Sequence, residues 1–187
     1  NNSYATGDVA GDDYVGGLVG STDVDILDSY ALGNVTGSGY VGGLVGTGGV
    51  INRSYAAGAV TGYYAGGLAG YLESEINNSY AMGAVNASGE GGGLVGHSTN
   101  WGVVNNSYSL GRVFGDGVLG GLVGNNSGSV ANSYWDLNTS GQSSSAGGVG
   151  LTTAQMMNQS NFTGWNFSSI WGIINGTSFP YLQWRYP

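Results

Sequence analysis

A chain of 187 residues with 41% hydrophobic content is within the range of one domain and can build a core, yet only 7% of it is charged, against about 25% in an ordinary soluble domain. It carries 39 Gly, 2 Pro, no Cys, no Lys and a net charge of -8. This balance excludes a collagen-type helix, thiolate metal sites and disulfide staples; it lacks the basic footprint that nucleic acid requires, and its glycine-broken apolar runs fall short of the roughly 20 residues of a spanning helix.

Taken from the start, the chain begins at Asn1 with neither Met nor a leader, which reads as a processed form or a fragment. A Ser-Tyr pair follows at 3–4 and returns at 29–30, 54–55, 79–80, 107–108 and 133–134. The phrase G-G-L-x-G keeps the same pace at 16–20, 42–46, 66–70, 92–96 and 120–124, with a worn version, "GGVGL", at 147–151. Two markers on one period of about 25 residues signal a solenoid, propeller or array. A propeller blade needs roughly 40–45 residues, and no 3.6-residue rhythm supports a helical repeat. Three short strands with glycine corners fit. The expected fold is all-β, a parallel β-solenoid of about six coils over 1–146, followed by an aromatic-rich capping segment over 147–187.

Within a coil, Ile26, Asp28 and Tyr30 share parity as on one strand, and the tyrosines Tyr30, Tyr55, Tyr80 and Tyr108 should form a ladder. A valine follows each tyrosine by five residues, at Val9, Val35, Val60, Val85 and Val113. Five is odd, so the two columns cannot both face inward on an unbroken strand, and a corner is expected at Gly33, Gly58, Gly83 and Gly111. A third strand should carry Leu18, Leu44, Leu68, Leu94 and Leu122 as a second ladder. The segments between G-G-L-x-G and the next Ser-Tyr vary most in length, which in a solenoid marks the side where ligands bind.

Beyond "GQSSSAGGVG" the pattern dissolves. Thr153 is the expected N-cap of one short helix, and Trp165 and Phe167 alternate as in a strand. The aromatics that follow should hide the last coil. At the other end Asn1 enters a repeat directly, so the open edge there and Trp171, Trp184 and Tyr186 in the tail are expected partners in a head-to-tail contact.

"SYATGDVAGDDYVGGLVG" resembles the GLUG repeat, named for its Gly-Leu-any-Gly core, and "LTTAQMMNQSNFTGWNFSSIWGIINGTSFPYL" is similar to the segment that closes such arrays. The resemblance implies a stalk or adhesive module of a large secreted or surface-attached microbial protein. It brings no catalytic activity with it.

The individual residues point the same way. Twelve of eighteen asparagines begin an N-x-S/T sequon, best placed for glycosylation at Asn34, Asn86, Asn138, Asn161 and Asn166; Asn52, Asn77 and Asn105 fall in one repeated column where glycans on successive coils would crowd. Asp12, Asp13, Asp23 and Asp25 offer oxygen ligands for Ca²⁺ but in no recognised loop spacing, and solvated acids are the expected outcome. His97 is the only histidine, with no nucleophile elbow to serve, and nothing selects Glu73, Glu75 or Asp116 as a glycosidase pair. The expectation is a non-enzymatic extracellular or cell-surface structural glycoprotein without cofactor or metal. It would act as a stalk, surface-layer element or filament subunit that self-associates or continues into further repeats. The rival is an adhesin fragment whose variable loops hold a sugar or host-surface ligand.

Overall fold

A computed structural model gives the fold over residues 1–185. The chain is a parallel β-solenoid. One coil runs through Tyr30–Ala31, Val35–Thr36, Tyr40–Gly42, Val45–Gly48 and Ile51–Asn52 before the next opens at Tyr55. Tyr4, Tyr30, Tyr55, Tyr80, Tyr108 and Tyr134 are in direct register, which makes five complete turns. At roughly 4.8 Å per coil the stack is about 24 Å long.

Each coil has four sides, one more than the sequence suggests. The short strands fall into a seven-stranded tyrosine sheet, an eight-stranded valine sheet, a five-stranded sheet through Val45–Gly48, and a five-stranded isoleucine sheet. The extra corner separates the isoleucine and tyrosine columns, which therefore do not share a strand. Its pivot is a left-handed residue in each coil: Asn2, Asp28, Arg53, Asn78, Asn106 and Asn132 all have φ between 47° and 54°. Asn and Asp tolerate that region because their short polar side chains bond locally. Arg53 does not belong there by preference, and its guanidinium is tied to Asp28 below it at 2.6 Å and 2.7 Å.

The residue after each pivot is a serine, buried in every case but Ser3. Ser54 Oγ accepts the backbone N–H of Ser29 at 3.1 Å and donates to Asn52 O at 2.9 Å; Ser29, Ser79, Ser107 and Ser133 repeat the pattern. The hydroxyl carries the inter-coil ladder round a turn where backbone alone would leave an N–H unpaired. That is why serine precedes each tyrosine of the seven-stranded sheet.

The expected glycine corner between tyrosine and valine is present, but the two columns face opposite ways. Val35, Val60, Val85 and Val113 pack inside with Val15, Val41 and Ala65. The alanines Ala31, Ala56 and Ala81 point inward instead of the tyrosines beside them. A Cβ on Gly58 would run into the carbonyl of Gly33 one coil below, so this corner has no room for a side chain.

Leu44, Leu68, Leu94 and Leu122 sit at the bend between two strands rather than within one, and all are fully buried. The bend lets the leucine and the valine after it both face inward. Their two N–H groups share one acceptor: Leu94 N and Val95 N both donate to Leu122 O, at 2.8 Å and 3.1 Å. On the strand before the bend, a Cβ on Gly42 would meet Val45 O of its own coil and the Gly70 N–H and Leu68 O of the next, so coils could not close up there with any other residue.

Residues 137–151 cover the end of the last coil. Leu122 N and Val123 N have no leucine carbonyl above them, and the single Ser145 Oγ accepts both, at 3.1 Å and 2.9 Å. Gly121 N donates to Ser144 O, Ala146 N to Val123 O, and the Gln142 side chain to Val113 O. "GGVGL" is thus no sixth leucine corner. Val149–Leu151 pairs with Tyr134–Asp136 and extends the tyrosine sheet, while Ser145 stands where a leucine carbonyl would.

The rest of the tail does not cap the end. It turns back and lies along the side of the stack. Thr152, not Thr153, is the N-cap of the helix Thr153–Met156, in a capping box with Gln155; Thr153 instead donates to the buried carboxylate of Asp136. Trp165 and Phe167 lie in irregular chain rather than a strand, and the tail's only pairing among the described residues is Trp171–Gly172 antiparallel to Tyr181–Leu182.

Candidate functional site

Three parts of the surface carry the functional question: the tyrosine ladder under the tail, the two ends of the stack, and the asparagines.

The tyrosines stack outside the solenoid with ring centroids 5.0–5.2 Å apart from Tyr4 to Tyr108. The tail covers them as a strap. Trp171 wedges against Tyr80 and Tyr108, and Trp184 lies over Tyr30 and Tyr55. Polar bonds fix the strap along its length. Trp165 Nε1 donates to Asn132 O at 2.8 Å, Tyr108 OH to Pro180 O at 2.5 Å, and Trp184 Nε1 to Arg53 O at 2.9 Å. The Arg185 guanidinium sits 4.5 Å over the Tyr55 ring and donates to Tyr80 OH. Burial pushes the Tyr108 phenol well above its ordinary value, with Tyr80 adding to the effect. Between strap and ladder lies a mainly apolar cleft of about 390 Å³, lined by Met82, Leu110, Ile174, Phe179 and Arg185 among others.

This arrangement changes the expected assembly contact. Trp171 is fully buried, and Trp184, half-buried, is bonded to Arg53 at the corner between the second and third coils, so both already have partners within the molecule. Tyr186 lies outside the described residues. Asn1 is exposed beside the first coil. The two ends of the stack are also unlike. Every first-coil strand, from Tyr4–Ala5 to Ile26–Leu27, is the last strand of its sheet among the described residues, with Leu27 O on that edge accepting Asn2 N at 3.0 Å. At the far end, residues 137–151 extend the tyrosine sheet and take up backbone groups of Val113 and Gly121–Val123, while Ser129–Ala131 remains the last strand of the isoleucine sheet.

The asparagines divide into two groups. Asn52, Asn77 and Asn105 form the amide ladder of the isoleucine sheet: Asn105 Nδ2 donates to Asn77 Oδ1 and Asn78 Nδ2 to Asn52 Oδ1, each at 3.3 Å. Their sequon serines are the buried ladder serines. Asn34, Asn138 and Asn166 are exposed, and their bonds to Ala59 N, Thr153 N and Ser168 N fall on Oδ1, which leaves those bonds intact when a glycan joins Nδ2. Asn161 uses Nδ2 to hold Gln155 O, and Asn86 is half-buried beside Tyr63 and Ser88.

Asp12, Asp13, Asp23 and Asp25 belong to no group of three or more metal-ligating side chains among the described residues. His97 is half-buried: its Nδ1 lies 2.6 Å from Glu90 Oε2, and Asn125 donates to the other carboxylate oxygen at 2.9 Å. The signal for this cluster was present in the repeat register, which aligns Tyr71, His97 and Asn125, but it needs the fold to bring Glu90 beside them.

No known family model matches this chain, and no solved structure matches it. A stretch of 49 residues, about two coils, is 47% identical to part of a putative Gly-rich membrane protein of Evansella cellulosilytica. The match takes in 25% of this chain and 6% of that protein, so the chain spans a small fraction of its relative's length. In the chain itself no helix among the described residues is long and apolar enough to cross a membrane.

Proposed function

We propose that the chain is a non-enzymatic structural module of an extracellular or cell-surface glycoprotein, a GLUG-type β-solenoid that closes one end of a stack. The observation that carries this reading is the asymmetry of its ends. One edge carries the first strand of every sheet, and the other is blocked in part, by the added strand Val149–Leu151 and by a serine that takes the place of the missing carbonyl at the leucine bend. A solenoid gains stability from each neighbour added at an open edge. Exposed asparagines at Asn34, Asn138 and Asn166 suit glycosylation of an exported protein. The likeness of two coils to a protein named as Gly-rich and membranous supports a cell-envelope setting.

The test is to fuse a second copy of residues 27–76, which ends at Ile76 so that Asn1 takes the place of Asn77, in register ahead of Asn1 and to compare both forms by sedimentation and negative-stain microscopy. The expected result is a monodisperse rod lengthened by about 10 Å, two coil spacings, with a higher Tm. A fusion that melts no higher than the parent, with the added coils protease-sensitive, overturns the stacking role. In the source organism, protease shaving of intact cells should release the chain with glycan attached; an unglycosylated, protected chain overturns the location.

A second reading, an adhesive module, is favoured by one feature of the outer surface, a polar cleft between two side-chain columns.

A further inference from the structure

Two outward columns flank the leucine bend. On the valine sheet Tyr14, Tyr40, Tyr64, Glu90 and Val118 stand in register, and on the neighbouring sheet Ser21, Thr47, Tyr71, His97 and Asn125 do. Where both columns carry long side chains they close on each other. His97 stacks on Tyr71 at 5.1 Å, meets Tyr64 edge-on, and bonds to Glu90 across the bend. In the first two coils one column shortens to Ser21 and Thr47 while the other keeps its rings, Tyr14 and Tyr40, stacked at 5.3 Å. The mismatch opens a cleft of about 370 Å³, lined by those four residues with Tyr71 and Glu73.

We propose that this cleft binds an uncharged saccharide unit, held by its five hydroxyl side chains and the Glu73 carboxylate. The volume is within the range of small-ligand sites, roughly 300–1,000 Å³. Ser, Thr and Tyr hydroxyls both donate and accept, as sugar hydroxyls do, and a carboxylate accepts short, charge-assisted bonds from hydroxyl donors. Burial, neighbouring phenols and Glu73 push the Tyr40 phenol up, and burial, Glu73 and neighbouring phenols do the same at Tyr71, so both keep their protons and remain donors.

Other ligand classes fit less well. An anion would meet Glu73, with no cation among the lining residues, on a chain of net charge -8. A hard metal ion wants six or more oxygens rich in carboxylate, and the lining offers one. An organic ammonium is held by an open ring face. Both faces of Tyr40 are covered, by Tyr14 and Tyr64, and one face of Tyr71 is covered by His97. Tyr40 therefore presents its edge and hydroxyl, and Tyr14, stacked on one side only, is the one lining ring at the open rim. The inference gives the adhesive reading a location, at the bend rather than in the variable loops. It is independent of the stacking role, because binding is read on the unextended chain.

The test titrates the whole chain with neutral gluco-, manno-, galacto- and N-acetylglucosamine-based tetrasaccharides, read by saturation-transfer NMR and calorimetry, with choline and sialic acid as charged probes. At least one neutral probe should bind saturably. Glu73→Gln should weaken it tenfold or more, and Thr47→Tyr should abolish it, because a ring there continues the Tyr71 column and fills the cleft. Ser21→Tyr fills it from the other side should the Thr47 variant fail to fold, and Tyr63→Ala, outside the cleft, should leave binding unchanged. Absence of neutral-sugar binding, binding of the charged probes alone, or sugar binding that survives a folded cleft-filling variant overturns the proposal.

Discussion

The molecule contains two tyrosine ladders built by the same rule and put to different ends. Tyr30, Tyr55, Tyr80 and Tyr108 stack at 5.0–5.1 Å, and Tyr14, Tyr40 and Tyr64 at 4.7–5.3 Å. Register alone sets both spacings, since parallel coils place like on like. What separates them is the cover. The first ladder lies beneath the strap, with Tyr55, Tyr80 and Tyr108 almost fully buried, whereas Tyr14 at the edge of the second is 53% exposed. Stacking is a property of the repeat, while burial is conferred by residues distant in the chain, as in the bond from Trp184 to Arg53, 131 positions apart.

If the strap is what makes the first ladder a core, its central wedge should matter most. Trp171→Ala should cost about 3–5 kcal/mol, detach the tail, and expose the tyrosines to a hydrophobic dye. A loss under about 1 kcal/mol in denaturant unfolding would show that the strap merely rests on the ladder. Paired substitutions sharpen the contrast. Tyr80→Ala should cost about 3 kcal/mol and Tyr40→Ala about 1 kcal/mol, the latter close to the value of ring stacking alone. Equal losses at both positions would mean that stacking, not cover, holds the covered ladder.

Alkaline titration probes the same difference in protonation. The folded state holds the Tyr108 proton well above the ordinary phenol range, and the unfolded chain releases it near pH 10. Above that pH the folded state binds more protons, so stability falls as pH rises, by about 1.4 kcal/mol per pH unit for each such phenol, until the folded pKa is passed. Tyr108→Phe should start less stable at neutral pH, through loss of its bond to Pro180 O, and decline less steeply above pH 10. An unchanged slope would assign the alkaline loss to other groups.

Much of this was legible before the fold. The period, the like-on-like columns and the corners at Gly33, Gly58, Gly83 and Gly111 follow from spacing, because each coil must fit the one below it. The direction of the tyrosines was not legible, since parity tells only that tyrosine and valine face opposite ways on a continuous strand. Burial of the tyrosines misleads in the same way: they are buried, but against the tail. The fourth side was hidden because its pivot is occupied by Asn, Asp or Arg, and only φ reveals the turn. The cleft had no sequence signal at all. Ser21 and Thr47 look like ordinary strand residues until the bend sets them opposite Tyr14 and Tyr40.

The sequence by itself determined the solenoid, its register and its ladders, for these depend on contacts between neighbours one period apart that repetition writes out openly. Only the tertiary structure decided which ladder is covered, which end is closed and where a cleft opens. Those depend on single, unrepeated contacts, such as Ser145 on Leu122 and Trp171 on Tyr80, for which no second copy exists to betray the pattern.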